Sequence, residues 1–447
     1  MRKKDEQKET FFLLKKSGIA LTVKGGGMIT QYLFIFTVAH LLGPGMLGTF
    51  TLSFTVMQLI SILALLGLDN LLIRKVAAAK ATNDLIALKS AYQTSLRTTA
   101  VSSVFFAFLM YLLSPFIAEG IFNKPLLTEH LKVMSLALPP FVWITLHAGA
   151  FRGSKNMLGF TLFKTIIPLL NAMLIYFAYQ LKIAFTPVMG FTSSTILVAI
   201  FYVVSWRKYS NISSVQSETS VDWKKMVSES LPMMMTGSIF FILNWMDNIV
   251  IGIYWSEAHV GFYDTAFKIS SASAAILMAV NAIQAPTFAE IKSSNDQNRL
   301  KTYVYNSTRL LFYATAPITL FILLFPEFLL SLFGKDFTTA GVSLQLLAAG
   351  NFINCITGSI GILLMMTGHQ VQYNRIVMIA AAIGLGLNFL LVPSLGIEGA
   401  AISSTISKIL WSLIAVYYAY KKLGLVSIYL PGMKHPEIND KNKSASA

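Results

Sequence analysis

Charge is scarce in this chain of 447 residues. Asp, Glu, Lys and Arg together make up 12%, against about 25% in soluble domains, and that excludes a large soluble enzyme. Acid is scarcer than base: 20 Asp and Glu stand against 35 Lys and Arg, for a net charge of +15. There is one cysteine, Cys355; it cannot form an internal disulfide and sits in an apolar stretch as a small hydrophobe. The six histidines (His40, His130, His147, His259, His369, His435) are scattered, with no H-E-x-x-H and no cysteine cluster. No metal site and no cofactor are therefore expected. No G-x-x-x-x-G-K-[ST] occurs, which removes an ATP-binding loop. Gly25-Gly26-Gly27 opens inside an apolar run with no strand before it, so it is no dinucleotide fingerprint. The excess of base does not point to nucleic acid either, because the basic residues lie between apolar segments and form no stripe on a soluble domain.

What is present is length in apolar runs. Hydrophobic residues make up 55% of the chain, the mean hydropathy is +0.63, and the runs approach the roughly 20 residues that cross a bilayer. The pattern predicts an all-α polytopic membrane protein with about twelve spans. They fall near 18–40, 47–68, 96–116, 131–150, 159–180, 184–205, 230–254, 263–285, 309–333, 341–365, 374–393 and 397–419. No small-residue cleavage site follows the first, which is expected to stay as a helix. Of the 35 Lys and Arg, 28 fall in one set of alternate loops and tails and 4 in the other. That bias places both termini in the cytoplasm.

The chain also repeats itself. Gly48 follows the first span as Gly261 follows the seventh, Arg152-Gly153 answers Thr367-Gly368, and Asn171 answers Asn388, at offsets of about 213–217 residues. Six spans return the chain to its starting side, so the second copy enters in the same orientation as the first. The expected organisation is a six-helix lobe at 1–208, a Ser-rich cytoplasmic linker at 209–228, and a second six-helix lobe with its tail at 229–447.

Three basic residues are left inside the membrane: Lys24, Lys268 and Lys408. Each costs about 2.5–3.5 kcal/mol at a helix centre on insertion scales. Lys24 lies on a small and polar stripe with Ser17, Ala20, Gly27 and Gln31; it either snorkels to the surface or lines a cavity. Asn244, Asp247 and Asn248 sit at i, i+3 and i+4 beside Trp245, a face that belongs in a protein interior or a watery cavity. The carboxylate there serves as a hydrogen-bonding group, or binds a proton, Na⁺ or a lysine. Asp264 and Lys268, at i and i+4, read as a local ion pair; the sharper alternative has Lys268 facing Asp247 or an anionic substrate. Lys408 is the deepest cation and shows no partner in the sequence. Asn351, Asn354, Gly358 and Gly361 share a face and read as helix packing. Three lysines against one clearly intramembrane carboxylate favour a cavity receptive to anions. Trp143, Trp245 and Trp411 offer faces for sugars, a signal shared with ordinary membrane-protein filler.

Several short patterns carry a family resemblance over about residues 15–420. They are Leu42-Gly43-Pro44 through Gly48, Gly67-Leu68 with Ile73-Arg74, and Val260-Gly261-Phe262-Tyr263. Most specific are Asn388-Phe389-Leu390-Leu391-Val392-Pro393 and Leu395-Gly396-Ile397-Glu398-Gly399-Ala400-Ala401. On these the chain resembles the polysaccharide transporters, or Wzx-type oligosaccharide flippases, of the MOP superfamily, which also holds lipid II flippases and MATE antiporters. The motifs are turns and close-packing points, and none is catalytic. The resemblance implies a flippase, not an enzyme, in the bacterial cytoplasmic membrane. It would carry an undecaprenyl-diphosphate-linked oligosaccharide from the inner to the outer leaflet by alternating access. Two parallel six-helix lobes would enclose a cationic cavity lined mainly by spans 1, 2, 7 and 8. Lys24, Asp247 and Lys268 fall on those helices; with Gln31, Asn244, Asn248 and Lys408 they form the expected substrate-binding set. Lys408 would lie outside the central four, near a lipid-tail groove. The expected partners are the lipid-linked oligosaccharide, the bilayer, a coupling H⁺ or Na⁺, and proteins of polysaccharide assembly. A MATE-type cation-coupled antiporter and a membrane glycan polymerase or acyl transferase stand as alternatives.

Overall fold

The structure, a computed structural model, describes residues 2–210, 222–294, 296–429 and 431; side chains are described from Gly25 onward, apart from positions 236, 240, 282, 283 and 286. Most of the expected linker, 211–221, and the tail from 432 lie outside the described residues. Every regular element among the described residues is helical, as a bilayer demands of open chains, because only a helix satisfies all its backbone groups within one segment.

Helix α1 (Arg2–Leu65) has 64 residues, which as a straight rod would reach about 96 Å, three times a hydrocarbon core. It is not straight. Gly43 leaves helical geometry at φ 81, ψ 172, and Pro44 follows it. The expected spans 18–40 and 47–68 are the two limbs of this broken helix. Helix α15 (Gln370–Leu423), 54 residues long, repeats the device at Gly396, φ 58 and ψ −132, and joins the expected spans 374–393 and 397–419. Positive φ costs a glycine nothing in side-chain clash, which is why both breaks fall on glycine. By length and composition seven helices among the described residues qualify to cross a membrane, or eight with a helix bent by 53° near residue 240. Two of the seven thus hold two of the expected twelve spans each.

The chain forms two compact units, Met1–Gly261 and Phe262–Ala447. Unit 1 continues from α1 through α2 (Leu68–Ala81), α3 (Leu85–Pro115) with a single π turn after it, and α4 (Leu127–Gly153). It then runs through the short α5 (Met157–Thr161), α6 (Phe163–Gln180), α7 (Pro187–Ser210) and the bent α8 (Trp223–Tyr254). Helix α9 (Glu257–Ser270) crosses the boundary. Unit 2 holds α10 (Ala272–Ser293), α11 (Gln297–Leu324), α12 (Pro326–Ser331), a 3-10 turn, α13 (Gly341–Ile356), α14 (Ile360–Met366) and α15. The expected span at 263–285 is parted near Ser271 into α9 and α10, and 341–365 near Gly358 into α13 and α14.

Helix α8 belongs to unit 1 because it is fastened along α1 and α2. Gly67 lies against the Ser230 carbonyl, Ser230 Oγ donates to Leu66 O at 2.7 Å, and Lys75 pairs with Glu229 at 3.0 Å. At the far end of α8, Lys124 Nζ donates to Gly252 O (2.7 Å) and Trp255 O (2.8 Å). These are carbonyls that a helix terminus leaves unpaired. Burial pushes the Lys124 ammonium below the ordinary lysine range, and nearby Glu257 works against that shift. Just beyond, Gly48 and Gly261 bring α1 and α9 into contact, with the Pro44 carbonyl 2.5 Å from where a Gly261 Cβ would stand. The repeat landmarks are corners of this kind: Asn171 Nδ2 donates to Pro187 O at 3.1 Å, fixing the start of α7 against α6.

Candidate functional site

On α8 the polar face runs from accessible to buried over one turn. Asn244 is exposed, whereas Asp247 and Asn248 retain 5% and 3% exposure. Asn248 Oδ1 has no hydrogen-bond partner among the described residues, an arrangement that costs free energy in an apolar interior. Trp245 packs edge-on against Phe54, centroids 5.3 Å apart, and Phe54 meets Phe191 at 5.3 Å. The indole that the sequence offers to sugars therefore borders an aromatic core. Gln31 is half-buried on α1. The Lys24 side chain lies outside the described residues.

Unit 2 holds the other two lysines. Lys268 Nζ lies 2.6 Å from Asp264 Oδ2, with 15% and 2% of the side chains exposed; this is the local ion pair that the i, i+4 spacing allows. Lys408, 8% exposed, donates to Asn351 Oδ1 at 2.9 Å and stands 5.1 Å from the Phe267 ring centroid. Asn351 Nδ2 in turn donates to Ser270 O at 2.9 Å. Ser270 ends α9, so its carbonyl is one that the break before α10 releases. A relay from α15 through α13 satisfies that carbonyl, and the cation is tolerated because its acceptor is fixed. The partners are 57 and 81 residues apart. No local spacing could announce them, and Asn351 reads in the sequence as a packing residue.

The sequence pattern described as "Polysaccharide biosynthesis protein" matches residues 37–340, more than half of the chain. The chain belongs to the polysaccharide biosynthesis protein family. Asn244, Asp247, Asn248 and Lys268 lie within the matched region; Lys24, Gln31 and Lys408 lie outside it. Among curated relatives, the chain is similar to "Probable low-salt glycan biosynthesis flippase Agl15" of Haloferax volcanii, 26% identical over 198 residues and 42% of each chain. It is also similar to "Probable flippase AglR" of the same organism, 24% identical over 39% of this chain and 37% of the relative. The chain thus spans about two fifths of the relatives it matches. Among solved structures, an inward-facing multidrug resistance MATE transporter of the MOP superfamily aligns with TM-score 0.72 and 17% identity, covering 89% of this chain and 94% of that one. The lipid II flippase MurJ in an inward closed conformation aligns with TM-score 0.66 and 13% identity over 93% and 90%. This member of the polysaccharide biosynthesis protein family has the helical fold shared by MATE and MurJ, and it is a multi-pass membrane protein.

Proposed function

We propose that this protein flips an undecaprenyl-diphosphate-linked oligosaccharide from the inner to the outer leaflet of a bacterial cytoplasmic membrane, by alternating access and with both termini in the cytoplasm. The observation that carries the reading is a polysaccharide biosynthesis family match on a chain with a transporter fold. The curated relatives named as flippases support it. Binding would rest on Lys24, Gln31, Asn244, Asp247, Asn248, Lys268 and Lys408. Of these, Lys268 reaches a diphosphate only in competition with Asp264, and Lys408 acts from the interior of unit 2. Asp247 with the Asn248 carbonyl oxygen is the place for a coupling H⁺ or Na⁺.

An anion that leaves a cell negative inside gains about 2.3 kcal/mol per charge per 100 mV. A diphosphate therefore supplies a driving force of its own. Deleting the gene should cause lipid-linked repeat units to accumulate on the cytoplasmic face. Unpolymerised units on the outer face would instead indicate a polymerase or transferase and remove the flippase reading.

A further inference from the structure

At one end of unit 1, two cations share one aromatic ring. The Arg152 guanidinium carbon, in the last turn of α4, lies 5.1 Å from the Phe160 centroid. Lys164 Nζ, at the start of α6, lies 6.0 Å from that centroid and 5.8 Å from the Phe163 centroid. Ring faces hold cations in place without cancelling their charge. Arg152 is close enough to repel Lys164, and neither forms an ion pair among the described residues. The carboxylate that attracts Arg152 is Asp69 on α2, and burial opposes its ionisation. The Lys164 side chain is exposed.

The backbone that carries these heads is stapled. Tyr202 on α7, 1% exposed, accepts from Phe163 N at 2.9 Å and donates to Gly159 O at 2.8 Å. Asn156 Oδ1 accepts from Gly159 N at 3.0 Å. A Cβ on Gly159 would stand 2.5 Å from the Phe151 ring, so this turn is pressed onto α4. Lys155 occupies φ 58, where glycine is the easier residue, and so adds a cation at a strained position. The same end carries Lys80, whose Nζ is 4.4 Å from the Tyr209 centroid; the Tyr209 ring lies tilted against Phe151 with centroids 5.5 Å apart. Like charges near enough to repel each other, on a stapled turn and in no ion pair among the described residues, suit an anion from outside the chain.

We propose that Arg152 and Lys164 form a binding site for a phosphate-ester anion, the headgroup of a lipid that reaches this end of unit 1. Arginine would take two phosphate oxygens through its fork, and the ammonium would act as a point charge beside it. Two lipids carry this chemistry: a prenyl diphosphate, and an anionic lipid of the bilayer such as phosphatidylglycerol. The first source rests on the function proposed above; the site itself does not.

The test uses the full chain in phosphatidylcholine nanodiscs, with farnesyl diphosphate, farnesol and added phosphatidylglycerol as probes. The wild type should bind farnesyl diphosphate and discriminate against farnesol. The double variant Arg152→Gln/Lys164→Gln should weaken farnesyl diphosphate about tenfold (~1.4 kcal/mol), while the charge-keeping pair Arg152→Lys/Lys164→Arg retains most of the affinity. Loss of phosphatidylglycerol retention alone would assign the site to the bilayer lipid. Unchanged binding of both anionic probes would overturn the site. If the double variant melts early, Lys164→Gln alone, at an exposed side chain, gives the same comparison. Failure of the function above has a different signature: farnesyl diphosphate binds through this pair, yet no lipid-linked glycan crosses the bilayer.

Discussion

Two seams in this molecule join helices by opposite means. In unit 1, α1 and the corner leading into α2 meet α8 and the start of α9 through glycines: Gly48 against the Glu257 carbonyl, Gly67 against Ser230, Gly252 against Leu52 and Gly261 against Pro44. In unit 2, α9, α13 and α15 meet through Ser270, Asn351 and Lys408. Apolar surface drives no association between helices already in lipid, so close backbone approach and polar bonds are the two means available. The glycine contacts themselves need no polar partner, although Ser230 and the Lys75–Glu229 pair lie beside them, but they tolerate no added atom. In the polar seam every group must also keep a partner.

The largest expected effect breaks the first seam. Gly48→Val places a branched side chain into the Glu257 backbone and should cost about 3 kcal/mol or more, read as loss of monodisperse protein in detergent. In the second seam the two partners should be unequal. Asn351→Leu removes an acceptor from a buried cation and should cost about 2 kcal/mol. Lys408→Met leaves the Asn351 amide oxygen short of a donor and should cost about 1 kcal/mol. Thermal unfolding of the two variants gives the order; a costlier Lys408→Met would mean that the lysine, not its acceptor, holds the seam. The smallest effect is at Lys124, where Lys124→Ala frees two carbonyls near the end of α8 and should cost under about 1 kcal/mol. Hydrogen exchange at residues 250–255 should rise in that variant and stay level elsewhere.

Much of the scaffold was legible because its signals are local. Apolar length announced the helices, and the glycine–proline step at Gly43-Pro44 and the glycine at Gly396 fell where the chain breaks. Local spacing also sufficed for Asp264 and Lys268, which are one turn apart and do pair. Partners from distant segments were not legible. Lys408 carries no mark of Asn351 in the sequence, because their contact is made by the packing of α13 on α15. Arg152 entered the sequence reading as part of a repeat landmark, and both it and Lys164 counted in the tally of basic residues that sets the membrane side. The signal that was there is the pair of phenylalanines, Phe160 and Phe163, set between the two cations. Its meaning needs the turn that Tyr202 closes from another helix.

The central claim is transport of a lipid-linked glycan, and it is tested most directly in sealed vesicles that contain the purified protein and an undecaprenyl-diphosphate-linked oligosaccharide in the inner leaflet. The appearance of glycan at the outer face would be followed with a membrane-impermeant lectin, at zero potential and then with the interior negative. Protein-dependent appearance that quickens when the interior is made negative is the predicted result. Glycan that stays in its leaflet at both potentials, as in protein-free vesicles, would contradict the account.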